Sequence, residues 1–139
     1  MTAVDTNVLV ALLNRDEILS AMAEEALLRA LSADGVVISA PVWAELRAFP
    51  TRNELALEEF LKLKGVKIDW QLGEPVWRLA GRAFQEFNAR RKRGGVEVSR
   101  RMLTDFVIGS HAVINGLSLL TLDQRHYRAA FPRLKVISF

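Results

Sequence analysis

Five short apolar runs, separated by stretches of helical periodicity, constrain this chain more than any other feature. They are Thr2-Ala3-Val4, Val36-Val37-Ile38, Val66 to Trp70, Leu117 to Thr121, and Val136 to Ser138. Runs this short and this apolar are what strands buried on both faces look like, and helices between them must cover the sheet. A parallel α/β sheet with helices on both faces, three layers in all, is the predicted architecture. The length of 139 residues suits one domain, and half of those residues are hydrophobic, enough for a core. A single domain over residues 1–139 is expected.

The helices have readable starts and stops. Val8 to Leu13 begins the first, directly after the first strand. Glu17 to Leu31 reads as the second, with Asp16 as N-cap, Ile18, Met22, Ala26 and Leu27 as the buried stripe, and Gly35 as the stop. Pro41 opens a helix over Val42 to Phe49. Thr51 and Glu54 have capping-box spacing for the next, which ends at Gly65. Pro75 opens a long helix whose inner stripe is Val76, Leu79, Ala80, Ala83, Phe84 and Phe87. Gly94-Gly95 breaks it, Met102 to Asn115 forms another helix stopped by Gly116, and Gln124 to Ala130 a last short one.

Four acids sit where such a sheet would gather them: Asp5, Glu45, Asp105 and Asp123. Asp5 and Asp123 follow the first and fourth strands. Ligands of open α/β sheets bind beyond the carboxyl ends of the strands, where strand order reverses. Glu45 borders the apolar stripe Val42, Leu46 and Phe49. Asp105 shares a face with Ile108, Gly109 and Ala112. Gly109 costs its helix about 1 kcal/mol against alanine. Close packing of that helix on the sheet would account for it. Singly, each acid also has an ordinary reading as a helix cap, a dipole partner or a surface residue. Together they repel, by roughly 3 kcal/mol for two charges ~5 Å apart at an effective dielectric near 20. Either some stay protonated or a cation holds them. Oxygen donors without cysteine or paired histidines suit Mg²⁺ or Mn²⁺ rather than zinc.

The net charge of +3 hides a local excess: Arg90, Arg91, Lys92 and Arg93 form one block, and Arg100 and Arg101 follow. The block reads equally as a solvated helix end or as a contact for a polyanion such as RNA. The chain has no cysteine, so disulfides and thiolate metal sites are excluded. It has no P-loop and no nucleophile-elbow motif. No basic leader precedes the first strand, and no apolar run is long enough to span a bilayer, so a cytoplasmic protein away from membranes is expected. His111, His126 and Tyr127 read as packing residues, and Trp43 and Trp77 as core or interface residues.

Four segments carry a resemblance to a known family. They are Asp5-Thr6-Asn7 with Val8-Leu9, Ser39 to Leu46, Asp105 to Ala112, and Leu120-Thr121-Leu122-Asp123 with Tyr127 and Phe131 beyond. In order and spacing they resemble the PIN domains, and among these the VapC toxins of toxin–antitoxin pairs. The resemblance covers essentially the whole chain. It implies a five-stranded parallel sheet of order 3-2-1-4-5 and a Mg²⁺- or Mn²⁺-dependent endoribonuclease. It makes Asp5, Glu45, Asp105 and Asp123 the catalytic and metal-binding acids, and gives Thr121 and Asn7 supporting roles beside them. It implies RNA as substrate, a cognate antitoxin protein as partner, and a homodimer whose surface would involve Trp77, or apolar positions near Leu13 and Phe49. The alternatives from the residues are a PIN-type nuclease acting in RNA processing or on DNA, a phospho-accepting receiver domain, and a non-catalytic RNA- or partner-binding module. The receiver reading is weak, because the first strand offers only Asp5 where an acidic pair is needed.

Overall fold

The computed structural model describes residues 1–14, 17–50, 52–93 and 103–139. Five strands, β1 (Thr2–Val4), β2 (Val36–Ser39), β3 (Val66–Asp69), β4 (Ser118–Leu120) and β5 (Val136–Ile137), form one sheet. All its pairings are parallel, in the order β3-β2-β1-β4-β5. Among the described residues seven helices flank it: α1 (Thr6–Leu13), α2 (Glu17–Ala33), α3 (Ala40–Arg47), α4 (Glu54–Leu63), α5 (Gly73–Arg93), α6 (Leu103–Ile114) and α7 (Gln124–Ala130). The strand order is the one the family resemblance implied.

Burial follows position in the sheet. β1 and β2 lie inside it and every residue of both is buried. β3 is an edge, so Val66 is buried while Lys67 faces solvent and Ile68 and Asp69 are half-covered. That is why β3 shows weaker patterning in the sequence than the central strands. The reversal of strand order falls between β1 and β4, where Val4 pairs with Leu120.

The glycine stops at Gly35 and Gly116 hold, while Gly94-Gly95 lies outside the described residues. Gly35 (φ 94°) and Gly116 (φ 66°) take the left-handed conformation that ends α2 and α6. Two details differ from expectation. The buried stripe of α2 is Ala23, Ala26, Leu27 and Ala30, while Ile18 and Met22 are exposed. At about 100° per residue, the buried set centres roughly 90–130° around the helix axis from Met22 and Ile18, which places those two outside the buried face. The cap of α4 is Asn53, whose Oδ1 accepts from the Ala56 amide at 2.7 Å. Thr51 and Asp16, the caps expected from spacing, lie outside the described residues.

Gly109 is explained by close packing, though not by contact with the sheet. A Cβ there would lie 2.2 Å from the Phe131 ring, so the ring itself occupies the space. Phe131 follows α7 and packs with Phe106 and Tyr127, ring centroids 6.5 Å away in both cases. The aromatic cluster thus locks α6 to α7, the two elements that carry Asp105 and follow Asp123.

Candidate active site

The site grows from the adjacent ends of β1 and β4. The ladder continues one residue past β1, as the Asp5 amide donates to the Leu120 carbonyl at 3.0 Å. Asp5 is the N-cap of α1, and its Oδ1 accepts from the Thr6 amide at 2.8 Å. Its Oδ2 accepts from the Thr121 hydroxyl at 2.7 Å. Thr121 is completely buried. Its oxygen also accepts from the Asp123 amide at 3.0 Å and from Asn7 Nδ2 at 3.4 Å. The Leu122 amide donates to Asn7 Oδ1 at 3.1 Å, which fixes the way the Asn7 amide faces. Both lone pairs of the Thr121 hydroxyl are therefore occupied and its one proton is committed to Asp5. At that oxygen Asp5 is an acceptor.

Glu45 projects from α3, and its Oε1 accepts from the Thr6 hydroxyl at 2.6 Å. Asp105 lies in the first turn of α6. Asp123 stands at the N-cap position of α7 but its side chain makes no capping hydrogen bond, so capping does not explain it. All four acids line one open cleft of about 680 Å³, together with Thr6 and Asn7. Val10, Leu19, Phe49 and Leu122 form its apolar flank.

The electrostatics are those of crowded, partly dry carboxylates. Burial pushes the Asp5 carboxyl up from 3.8 to about 6, and the charge of Asp105 pushes the same way. Hydrogen bonds from Thr121, the Thr6 amide and Tyr127 pull it back. Burial also raises Glu45, opposed by the Thr6 hydroxyl and reinforced by Asp105. Asp105 thus acts on both neighbours across the cleft.

Oxygen donors of this kind fit a hard divalent cation by chemistry. Their present spacing is looser: among the described residues no three His, Asp or Glu side chains form a group able to hold a metal ion as they stand. Asp5 and Glu45 direct oxygens at protein donors. Each carboxylate offers about four lone-pair sites, so these bonds leave acceptor capacity facing the cleft.

Asp5, Glu45, Asp105, Asp123, Thr121 and Asn7 thus come together as the sequence suggested. Thr6 and Tyr127 were missed. Thr6 reaches Glu45 across 39 positions of sequence, a contact only the fold creates. Tyr127 is fully buried under Asp5, where its aromatic character alone signalled packing. His111 is the satisfied packing residue expected, with Nε2 3.0 Å from Asp69 Oδ2. His126 is buried among Phe87, Phe106 and Tyr127. Trp43 packs against Trp70, and Trp77 is exposed. In the basic block, Arg90 donates to the Ala129 carbonyl at 3.3 Å, and the Arg91 guanidinium lies 5.2 Å from the Phe87 ring centroid. Lys92 and Arg93 close α5 with side chains that are not described, and Arg100 and Arg101 lie outside the described residues.

Comparisons with known proteins bear on the fold and the family. No curated protein matches the sequence significantly. Solved structures do match along nearly the whole chain. A VapBC2 complex from Rickettsia felis, bound to a promoter DNA fragment, has a chain 19% identical, with a TM-score of 0.68, covering 99% of this chain and 98% of that one. A toxin–antitoxin complex from Klebsiella pneumoniae has one 20% identical, with a TM-score of 0.68 and coverage of 99% and 96%. VapBC-1 of nontypeable Haemophilus influenzae has one 19% identical, with a TM-score of 0.66 and coverage of 99% and 96%. At such identities the likeness shows a shared fold. The family pattern itself, the PIN domain, matches residues 2–132, and the chain belongs to the PIN-domain family.

Proposed function

We propose that this protein is a metal-dependent endoribonuclease and the toxin of a toxin–antitoxin pair, like the VapC toxins. The observation that carries the reading is the convergence of Asp5, Glu45, Asp105 and Asp123 on one cleft of a PIN domain. A hard divalent cation, Mg²⁺ or Mn²⁺, would lower the pKa of water and neutralise phosphate charge there. Asp5 and Asp105 would hold it, with Glu45 accepting a hydrogen bond from the attacking water and Asp123 completing the charge balance. Thr121 and Asn7 keep Asp5 aimed as an acceptor. Water adds at phosphorus and the 3′ oxygen leaves, so the products carry 5′-phosphate and 3′-hydroxyl ends. Cations of the basic block, Arg90 to Arg93 with Arg100 and Arg101, would supply phosphate contacts along the RNA.

The partner assignments belong to the same proposal. The similar structures include toxin–antitoxin complexes, which supports a cognate antitoxin for this chain. Homodimerisation and a cytoplasmic location go with it. Among the described residues no helix is long and apolar enough to cross a membrane. Two experiments test the reading. Purified protein should cleave RNA in Mn²⁺, and Asp5→Asn should abolish cleavage while its circular dichroism stays native. Full activity of that variant overturns the assignment. Expression in the native host should arrest growth, with rescue by the antitoxin. Harmless expression of an active nuclease removes the toxin role and leaves the enzyme.

A further inference from the structure

Thr6, not itself an acid, hydrogen-bonds the side-chain carboxylates of two of the four acids. Thr6 donates its amide to Asp5 Oδ1 at 2.8 Å and its hydroxyl to Glu45 Oε1 at 2.6 Å. We propose that Thr6 is a positioning residue that sets the Glu45 carboxylate relative to Asp5, joining α3 to the end of β1 at the cleft. The inference rests on the nuclease reading above and names a further residue of that same site.

The geometry makes the role specific. Asp5 is fixed by the sheet, through its amide on Leu120 and its side chain on Thr121. Glu45 belongs to a different element, a helix whose buried anchors are Val42 and Leu46. Those anchors place the backbone of α3 but do not by themselves set the rotamer of the long Glu45 side chain. Asp105, across the cleft, repels it. The Thr6 hydroxyl is the donor that holds Glu45 against that repulsion, at charge-assisted distance. Thr6 is the first residue of α1, and its branched side chain has few rotamers, so the hydroxyl is already aimed. The backbone amide and the side chain of one residue thus fix the separation of two carboxylates contributed by positions 40 residues apart in number, 5 and 45.

The test uses Thr6→Val, which exchanges the hydroxyl for a methyl and keeps the amide on Asp5, and Thr6→Ser, which keeps the hydroxyl. Mn²⁺ titrated into metal-free protein by calorimetry is the first readout, and RNA cleavage kinetics the second. Thr6→Val should weaken Mn²⁺ binding about tenfold, the lower end of what loss of a ligand's supporting partner costs. It should lower kcat with KM for RNA unchanged, and Thr6→Ser should restore both. In a double-mutant cycle with Glu45→Gln, the effects on Mn²⁺ affinity should fail to add, because Thr6 acts through Glu45. Additive effects overturn the proposal, as does Thr6→Val binding and cleaving like wild type, or Thr6→Ser being equally impaired. Wild-type protein that binds no Mn²⁺ and cuts no RNA overturns the nuclease reading, and this inference with it.

Discussion

Asp5 is constrained from several sides at the site. It is buried, it accepts from Thr6 and Thr121, and it feels the charge of Asp105. Its carboxyl titrates near 6 folded against 3.8 unperturbed. The folded state therefore keeps this proton after the unfolded state has lost it. Stability is highest below the unperturbed value and falls as pH rises through about 6, by at most about 3 kcal/mol for a shift of this size. Glu45, also raised, adds in the same direction. Urea unfolding of metal-free protein across this range should show the decline, and Asp5→Asn should flatten it. A flat wild-type profile contradicts the shift. Thr121 carries a second prediction. Thr121→Val strips one acceptor bond from Asp5 and leaves the Asn7 and Asp123 donors unmet, so it should cost about 1–3 kcal/mol at neutral pH, read from the urea midpoint.

Between elements, the decisive contacts are those that bring α6 and α7 to the carboxyl end of the sheet. The Phe131 ring lies against Gly109, so Gly109→Ala forces the ring aside. Thermal unfolding should report a loss of about 1–3 kcal/mol, as overpacking of a dense core does, and Phe131→Leu in the same chain should recover part of it. An unchanged midpoint in Gly109→Ala contradicts the contact. At α4, Asn53→Ala should cost about 1 kcal/mol through loss of the bond to Ala56. The elements themselves were legible in the sequence wherever a physical rule acts over a few residues. β-branched runs became strands, and Gly35 and Gly116 ended helices at positive φ. Pro41 falls in the first turn of α3. What was not legible depends on tertiary neighbours. The phase of α2 was misread because Ile18 and Met22 are apolar yet exposed, and only the packed fold distinguishes them from Ala23 and Ala30. The reason for Gly109 was half legible: close packing was, but the ring that requires it lies 22 positions further along.

At the scale of the molecule, the sheet order determines the site. With β1 beside β4, Asp5 and Thr121 are neighbours by register, and the helices that follow β2 and precede β4 deliver Glu45 and Asp105 to the same cleft. Four acids separated along the chain were readable as candidates because each follows or flanks an apolar run. Their polar supports were partly readable: Asn7 and Thr121 lie inside the quoted motifs, whereas the bridge from Thr6 to Glu45 exists only once α1 and α3 are packed together. The molecule as a whole is a basic protein with an acidic cleft, which suits a polyanion drawn to its surface and a cation at the centre. The central claim is that these acids act as a set around a hard divalent cation. Calorimetric titration of metal-free protein with Mn²⁺, wild type beside Asp105→Asn, tests it most directly. The account predicts saturable binding by the wild type that is lost in the variant while its circular dichroism stays native. Equal binding by both proteins, or none by the wild type, would contradict it.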